Sequence, residues 1–220
     1  MDIHPPSGRV ETLKEILTHI FIVTVGILIA LSLEGVRESW REHVIANEAR
    51  ESIRAEMGRN QLKIKEDMEF RVKADAQLGQ ILKEMPNLAK RPAELQARVG
   101  QLNFRRYGMA LEISAWDEAI YSGAVPHMRA EEVRRFADYD VDMKYYLDMT
   151  RSSFPVESEC KAYIESHDSY SRAEAATAEE KLIELATWSD RFETNGPGVL
   201  QHMQMTLGDS RDKSQAVQAP

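Results

Sequence analysis

Residues 16–33 read ILTHIFIVTVGILIALSL, and this stretch lies between two acidic residues, Glu15 and Glu34, without a charge of its own. As a helix, eighteen residues extend about 27 Å, which is close to the hydrocarbon thickness of a bilayer. The segment is apolar on every side, whereas a helix in the core of a soluble protein is usually amphipathic. It therefore predicts a transmembrane helix. A buried core helix and a signal peptide cleaved near residues 30–32 are the alternatives.

The rest of the chain is polar, although its average composition hides the contrast. The protein has 220 residues, 43% of them hydrophobic, a net charge of -8 and a mean hydropathy of -0.45. From residue 34 onward there are 35 Leu, Ile, Val and Phe in 187 positions, roughly 19%, near the lower limit for a chain that buries its own core. The acidic balance argues against a nucleic-acid partner, because Lys and Arg supply that affinity. A single cysteine excludes an internal disulfide framework and any four-thiolate metal site.

Three features of the membrane segment and its flank are candidate interaction sites. His19 is ionisable, so it is a weak candidate for binding a haem or a chlorophyll-type pigment, although it lies near the interface, one turn from Glu15. Gly26 and Ala30 form a small-xxx-small pair that would let another helix approach closely. Trp40 lies where a belt of aromatic side chains would meet lipid headgroups. We expect no bound cofactor.

Beyond the membrane segment, the sequence predicts an all-α protein. Apolar residues recur at three- and four-residue steps from Val36 to Met85, and no proline interrupts them before Pro86. This period predicts a stalk helix that continues the transmembrane helix, followed by a small antiparallel helical bundle. The stripe is too irregular for a parallel coiled coil and fits packing against the same chain. The predicted organisation is an N-terminal tail at 1–15, a transmembrane helix at 16–33, a stalk helix at 34–85, a helical extramembrane domain at 86–207 and a disordered tail at 208–220.

Prolines and glycines in the extramembrane part predict where its helices end. Pro86 closes the stalk helix, and the RSSFP sequence ending at Pro155 breaks a later helix. Residues 195–198, Asn-Gly-Pro-Gly, are a strong stop signal for the last long helix. Each of these positions is therefore predicted to be a helix end.

A short helix around Trp116 carries start and stop signals of its own. Ser114 resembles an N-cap, with Asp117 at the third helical position of a capping box. Gly123 is a suitable C-cap residue. Trp116 lies on the apolar face of this helix, which predicts core packing in preference to a binding role.

Two stretches, VGILIALSLEGVRESWRE at 25–42 and AWDEAIYSGAV at 115–125, resemble a family of uncharacterised bacterial single-pass membrane proteins that share a domain of unknown function. The resemblance covers roughly residues 15–150, and residues 32–35 depart from the Asn-rich sequence that is commoner in the family. It implies an all-helical, membrane-anchored protein and supplies no catalytic residues. The matching positions are Gly26 to Leu31, Trp40, Ala115, Trp116, Ala119, Gly123 and Tyr139.

The membrane that these features predict is a bacterial inner membrane, crossed once. Two signals for orientation oppose each other. Basic residues are more frequent after the apolar segment than before it, which favours a cytoplasmic C-terminal part. Those arginines are interleaved with glutamates, however, and a short N-terminus before an uncleaved anchor is the usual layout of a protein that exports its C-terminal domain. We therefore predict a periplasmic C-terminal domain.

No motif for a familiar class of catalysis occurs in the sequence. It lacks HExxH, Glu-x-x-His, a Gly-Lys-Ser/Thr phosphate loop and a GxSxG elbow. Ser158 and Lys161 match Ser-x-x-Lys without a companion motif, and such short patterns arise by chance. Glu157, Cys160 and His167 could supply metal ligands along one helix, but Cys160 fits better as a small buried residue. We therefore predict no catalytic residues and no metal.

These observations favour a non-enzymatic, membrane-anchored interaction or scaffold protein. Its partners would be the lipid bilayer and either other membrane protein subunits or further copies of itself, as in an accessory subunit of a respiratory, photosynthetic or other membrane complex. The amphipathic side chains of Tyr139 and Tyr146 are predicted to contact such a partner, together with Gly26, Ala30 and Trp40. The alternative is a single-pass sensor or ligand-binding protein, which would need a concave pocket between helices.

Overall fold

The computed structural model describes residues 13–102, 104 and 110–217, with side chains between residues 16 and 208. In this part of the chain every regular element is helical, so the all-α prediction is confirmed. Most of the predicted N-terminal tail, residues 1–12, lies outside the described residues. The elements are α1 (Leu13–Leu88), α2 (Pro92–Gln101), α3 (Ala115–Tyr121), a 3₁₀ turn (Val125–His127), α4 (Ala130–Glu165) and α5 (Arg172–Val217).

Helix α1 is one continuous helix of 76 residues, about 114 Å long. Its first part, residues 16–33, is exposed on nearly every side, whereas from Ala46 onward one face is buried at three- and four-residue steps. That face packs against α3, α4 and α5 of the same chain, as the irregular apolar stripe predicts. The apolar segment and the stalk are therefore a single rigid element.

Helix α4 runs parallel to α1, as the contacts between their side chains show. Near the start of α4, Glu132 forms an ion pair with Arg50 of α1 at 3.2 Å. Further along, the Tyr146 hydroxyl donates to Asp67 at 2.8 Å. Helix α2 is short and packs between the end of α1 and α4.

Helix α5 runs antiparallel to α1 and returns toward its N-terminal half. Phe192 of α5 contacts Arg71, and one turn later Gly196 lies against Met68. A Cβ atom at Gly196 would lie only 2.8 Å from Met68 Sδ. The absence of a side chain at Gly196 therefore allows α5 to lie close to α1 at this point. Helices α1 and α5 both contribute to the two hydrophobic clusters of the bundle.

Two hydrophobic clusters fill the bundle. The proximal cluster joins α1 to α3, α4 and the second half of α5, and the distal cluster joins α1 to α2, the end of α4 and the first half of α5. Trp116 lies in the proximal cluster and Cys160 in the distal cluster, so both are core residues as predicted. On α1 the proximal cluster contains Ala46, Ile53, Met57 and Ile64, and the distal cluster contains Ala74, Leu78, Ile81, Met85 and Leu88.

Two predicted helix ends are wrong, because Pro155 and Pro197 each lie inside a helix. Pro86 lies in the last turn of α1, which ends two residues later at Leu88. A proline removes one backbone N–H donor and displaces the carbonyl one turn earlier, which bends a helix if packing holds both halves. All three prolines are exposed, so the opposite face of each helix stays available to pack against the core. Helix α5 then continues to Val217, where the sequence predicts a disordered tail from residue 208. No glycine or proline occurs between residues 209 and 217 to stop it.

Candidate interaction surface and buried polar clusters

The first part of α1 exposes a continuous apolar surface. Ile16 at its start is 41% exposed and Phe21 is 68% exposed. An 18-residue window of this helix has a mean hydropathy of 2.5 and no buried residue, so by length and composition it is able to cross a membrane. Val36 and Trp40, 69% and 70% exposed, extend the apolar surface by two turns toward the bundle.

Four of the predicted contact residues lie on this surface. His19, Gly26, Ala30 and Trp40 are all exposed. A Cβ atom added at Gly26 would meet nothing within 4 Å, so the backbone is open to a neighbouring helix there. The Thr24 hydroxyl donates a 2.7 Å hydrogen bond to a carbonyl of its own helix, which satisfies it without a partner. These four residues stay predicted contact sites.

The prediction that Tyr139 and Tyr146 contact a partner is wrong, because these side chains are only 3% and 0% exposed. Their hydroxyls donate to acidic residues of α1, Tyr139 to Glu56 at 3.2 Å and Tyr146 to Asp67 at 2.8 Å. Burial, helped by the neighbouring carboxylates, raises the pKa of both phenols well above the ordinary value. The amphipathic character of tyrosine therefore suits a core position with one polar partner.

The Glu56 cluster, formed by Glu56, Asn60 and Tyr139, attaches α1 to the segment before α3. Glu56 is 2% exposed, and its Oε2 accepts hydrogen bonds from the backbone N–H groups of Ser114 and Ala115, both at 3.0 Å. Asn60 exchanges two hydrogen bonds with the backbone of residue 112, at 2.6 and 3.0 Å. The predicted capping box is therefore replaced: Ser114 is the N-cap residue, but its hydroxyl makes no capping hydrogen bond. A carboxylate from a distant helix takes that role.

An exposed ion cluster covers the outer side of the same attachment. The Glu112 carboxylate lies 2.7 Å from Arg59 Nη2 and 2.8 Å from Lys63 Nζ. The hydrogen bond from Arg59, followed by that from Lys63, lowers the pKa of Glu112 to about 2. Lys63 Nζ also donates to the carbonyl of Ala110 at 2.6 Å. Exposed pairs of this kind contribute little stability each, so their main effect is to orient the segment that the Glu56 cluster holds.

The Asp67 cluster, formed by Asp67, Arg71, Tyr146 and Phe192, joins α1, α4 and α5. Asp67 Oδ2 accepts from Arg71 Nε at 2.8 Å, and both side chains are almost fully buried, at 1% and 2% exposure. Arg71 Nη2 donates to the carbonyl of Phe104 at 3.2 Å, and the guanidinium carbon lies 3.6 Å from the centre of the Phe192 ring. Asp67 Oδ1 is buried without a hydrogen-bond partner among the described residues. The cluster is therefore a buried ion pair on α1 that also contacts α4 and α5.

One turn beyond Arg71, Asp75 faces Ser189 and Glu193 of α5. Burial is the largest cause that raises the pKa of Asp75, from 3.8 to about 6, and the Glu193 carboxylate raises it further. Ser189 and Arg71 oppose this rise. Two buried atoms at this contact, Asp75 Oδ2 and Ser189 Oγ, form no hydrogen bond with any described residue. The contact between α1 and α5 is therefore less favourable when Asp75 is ionised.

We expect Asp75→Asn to stabilise the protein at neutral pH by about 1 kcal/mol and to leave its stability nearly unchanged at pH 4. The folded protein binds the Asp75 proton more tightly than the unfolded chain does, so wild-type stability is lost as the pH rises from about 4 to about 6. Asparagine carries no charge and removes that loss. Urea unfolding followed by circular dichroism between pH 4 and pH 7 measures the difference, with exposed Asp138→Asn as the control. Parallel pH profiles of the wild type and Asp75→Asn would contradict the prediction.

The candidate metal ligands Glu157, Cys160 and His167 each have a different environment. Glu157 Oε1 pairs with Lys161 Nζ at 2.8 Å. Cys160 lies in the distal cluster, where burial raises the pKa of its thiol to about 11. His167 Nδ1 lies 2.7 Å from the carbonyl oxygen of Tyr163. Among the described residues, no three His, Cys, Asp or Glu side chains are grouped to hold a metal ion.

A small cavity lies beside the Asp67 cluster, between α1, α4 and α5. Arg71, Trp188 and Ser189 are among the residues that line it, and its volume is about 10 Å³. That is close to the minimum for one water molecule. The buried Ser189 hydroxyl supplies a polar partner for such a water.

The residues that α1 contributes to the two polar clusters were not identified from the sequence as contacts. A signal for them exists, because Glu56, Asn60, Asp67 and Arg71 continue the three- and four-residue spacing of the buried face of α1. Comparisons with known proteins assign no function to these residues: no family model matches the chain, and searches of curated proteins and of solved structures found no match.

Proposed function

We propose that this is a single-pass membrane protein whose helical bundle is a non-enzymatic interaction or scaffold module. The observation that carries the proposal is the continuity of α1: residues 16–33 are apolar and exposed, and the same helix supplies the core of the bundle from Ala46 onward. Exposing apolar surface to water is unfavourable by about 25 cal/mol per Å², and a bilayer removes this contact with water. A rigid helix, without a flexible linker, then holds the bundle at the membrane surface.

The membrane that we propose is a bacterial inner membrane, with the bundle on the periplasmic side. The resemblance of residues 25–42 and 115–125 to bacterial single-pass membrane proteins supports the first part. The second part is supported by the residues that follow the apolar segment, since Arg37 and Arg41 are interleaved with glutamates and form no strongly positive flank. Protease added to spheroplasts tests the orientation. It should digest a periplasmic bundle and would leave a cytoplasmic one intact.

Two features support scaffolding in preference to catalysis or sensing. Three of the buried ionisable residues, Glu56, Asp67 and Arg71, join α1 to other parts of the bundle. A sensor would need a ligand pocket enclosed between helices. The cavity beside Arg71 has room for about one water molecule, and the larger groove of about 450 Å³ beside Gly100, Glu157 and Lys161 is open to solvent. The bundle is therefore better suited to presenting a surface than to enclosing a substrate.

Membrane retention is the decisive measurement for this proposal. We expect the wild type to stay with membranes washed in alkaline carbonate, and Val25→Arg combined with Leu28→Arg to reduce the retained fraction several-fold, because arginine is unfavourable at the centre of a bilayer. The matched control carries arginine at Val72 and Val141, which are 56% and 64% exposed on the bundle. This control should be retained like the wild type. Equal retention of the Val25→Arg, Leu28→Arg variant would overturn the proposal.

The partners that we propose are other membrane protein subunits or further copies of the chain, as in an accessory subunit. Gly26 and Ala30 are the proposed point of close approach between helices. Native mass spectrometry of protein released in mild detergent should show additional copies or co-purifying subunits. Gly26→Leu should reduce that associated fraction, and Leu28→Ile, which conserves volume, should not. A stable monomer without any partner would contradict this part of the proposal.

A further inference from the structure

The turn after α3 lies at the end of the bundle that is nearest the apolar segment. We call residues 120–127 the tip. His127 Nδ1 lies 3.5 Å from Glu42 Oε2 of α1, and the His127 carbonyl accepts from Arg50 at 3.4 Å. The other end of α3 is held at Glu56, fourteen positions further along α1 than Glu42. The chain from α3 to the 3₁₀ turn therefore runs back along α1 toward residues 16–33.

The rise of the helix places this tip close to a bilayer that α1 would cross. About 20 residues span 30 Å of hydrocarbon, so counting from Ile16 the apolar layer ends near Gly35. Headgroups extend about 5–7 Å further, roughly to the level of Trp40. Glu42, which contacts His127, is only about 3 Å beyond Trp40 along the helix axis. A tilt of about 20°, typical of transmembrane helices, would lower one side of the bundle still further.

The side chains of the tip suit a layer of headgroups. Tyr121 is 89% exposed and Ile120 is 49% exposed. Tyrosine has an apolar ring and a polar hydroxyl, and it is enriched where membrane meets water. The backbone beneath them is held in place, because Ala124 is fully buried in the proximal cluster. Gly123 follows Ser122, the C-cap residue of α3, and its φ of 74° is the left-handed conformation that a glycine supplies just after a helix end.

We propose that the tip rests among phospholipid headgroups and is a second point of contact between the protein and the bilayer. This inference depends on the proposed membrane anchoring of α1. Trp40 on α1 and the tip then contact the same headgroup layer, although they belong to different elements. Contact at two points limits the tilt of α1 and sets which face of the bundle is turned away from the membrane.

Lipid is the occupant that the surface favours over a partner protein. The tip exposes two neighbouring apolar residues, Ile120 and Tyr121, whereas a stable protein interface needs a much larger continuous area. It also lies at the end of the bundle where the exposed apolar surface of α1, including Val36 and Trp40, begins. The bilayer that would cover residues 16–33 is therefore the nearest apolar environment available to the tip.

Quenching by lipid tests the proposal in the full-length protein. A fluorophore is attached to Tyr121→Cys in a Cys160→Ala background, and the protein is reconstituted into phosphatidylcholine and phosphatidylglycerol vesicles that contain headgroup-labelled quencher lipid. Ser122→Cys is a second probe at the tip and Trp40→Cys the positive control. Ile183→Cys is the distant control, since it is 51% exposed and follows Leu182 of the distal cluster. We expect quenching at residues 121 and 122 to be at least threefold stronger than at residue 183 and comparable to that at residue 40.

The outcomes separate this inference from the proposed function. If the protein floats with the vesicles but residues 121 and 183 are quenched equally, the tip does not touch lipid and the inference is overturned, while the membrane anchor stands. If residue 121 is shielded from both lipid quencher and aqueous iodide, a protein covers the tip and the inference is also overturned. If the protein does not float with the vesicles, the anchor itself fails.

Discussion

Asp67→Ala is expected to lower the free energy of unfolding by about 3–5 kcal/mol. The change leaves the Arg71 guanidinium, 2% exposed, without its ion-pair partner and removes the acceptor of the Tyr146 hydroxyl. Removing a charge from water costs several kcal/mol, and in the wild type the carboxylate at 2.8 Å offsets that cost. The other direct contacts of Arg71, with the carbonyl of Phe104 and the ring of Phe192, carry no opposite charge, and the Asp75 carboxylate acts on Arg71 without forming an ion pair with it.

A matched pair elsewhere in the bundle isolates the effect of burial. Glu131 and Arg135 on α4 have the same i,i+4 spacing and a contact of 2.6 Å, but their side chains are 66% and 35% exposed. Glu131→Ala should therefore change stability by less than about 0.5 kcal/mol. Urea unfolding in detergent at pH 7, followed by circular dichroism, measures both variants. A loss below 1 kcal/mol for Asp67→Ala, or equal losses for the two variants, would show that the buried pair does not hold the helices together.

Replacing both partners provides a second test of the same argument. Asp67→Leu combined with Arg71→Met removes the two charges together, so no charge is left buried without compensation. We expect this double variant to recover at least half of the stability that Asp67→Ala loses. A double variant less stable than Asp67→Ala would instead indicate that the side chains matter through their shape and packing.

The apolar segment and the helical class were predictable because their signals are local. Residues 16–33 lack charge over a continuous stretch, and a helical period recurs along α1 whatever the helix packs against. The stop signal at Gly123, directly after the C-cap residue Ser122, is equally local, because a positive φ of 74° is a requirement of one backbone position. Trp116 was assigned to the core from the apolar face of its own short helix, and it is buried.

The polar clusters were not predictable because their partners are distant in sequence. Glu56 and Asp67 continue the spacing of the buried face of α1, but spacing alone does not distinguish a buried acidic residue from an interruption of the apolar stripe. Their partners Tyr139 and Tyr146 lie 83 and 79 residues away. The apparent irregularity of the α1 stripe is therefore the pattern of a core that contains polar residues, and the same contacts explain why the two tyrosines are internal.

The predictions that helices end at prolines were wrong for a related reason. Pro155 and Pro197 carry a local signal that favours a break, and tertiary packing overrides it. Each proline is exposed while its neighbours on the inner face are buried, for example Glu157 at 3% exposure and Val199 at 5%. The lost hydrogen bond is offset by burial that only the folded bundle supplies.

Glu56→Ala is expected to lower the free energy of unfolding by about 3 kcal/mol and to loosen one part of the bundle more than the rest. Its carboxylate accepts the backbone N–H groups of Ser114 and Ala115 and the hydroxyl of Tyr139. Hydrogen bonds to a charged group contribute about 1.5–3 kcal/mol each, and buried donors left unpaired add a further cost. Glu56→Gln keeps one oxygen that can accept from the N–H groups, so we expect it to lose less than half as much.

Hydrogen exchange locates the effect of Glu56→Ala along the chain. Protection should fall at least tenfold for the amides of α3 and residues 122–128, while α2 and residues 156–164 in the distal part of the bundle should keep theirs. Glu51→Ala, an exposed position on α1, is the control and should change neither stability nor exchange. Uniform loss of protection in all helices would contradict a local role for Glu56. A selective loss would mean that one carboxylate on α1 holds α3 and the turn that follows it at the end of the bundle nearest the apolar helix.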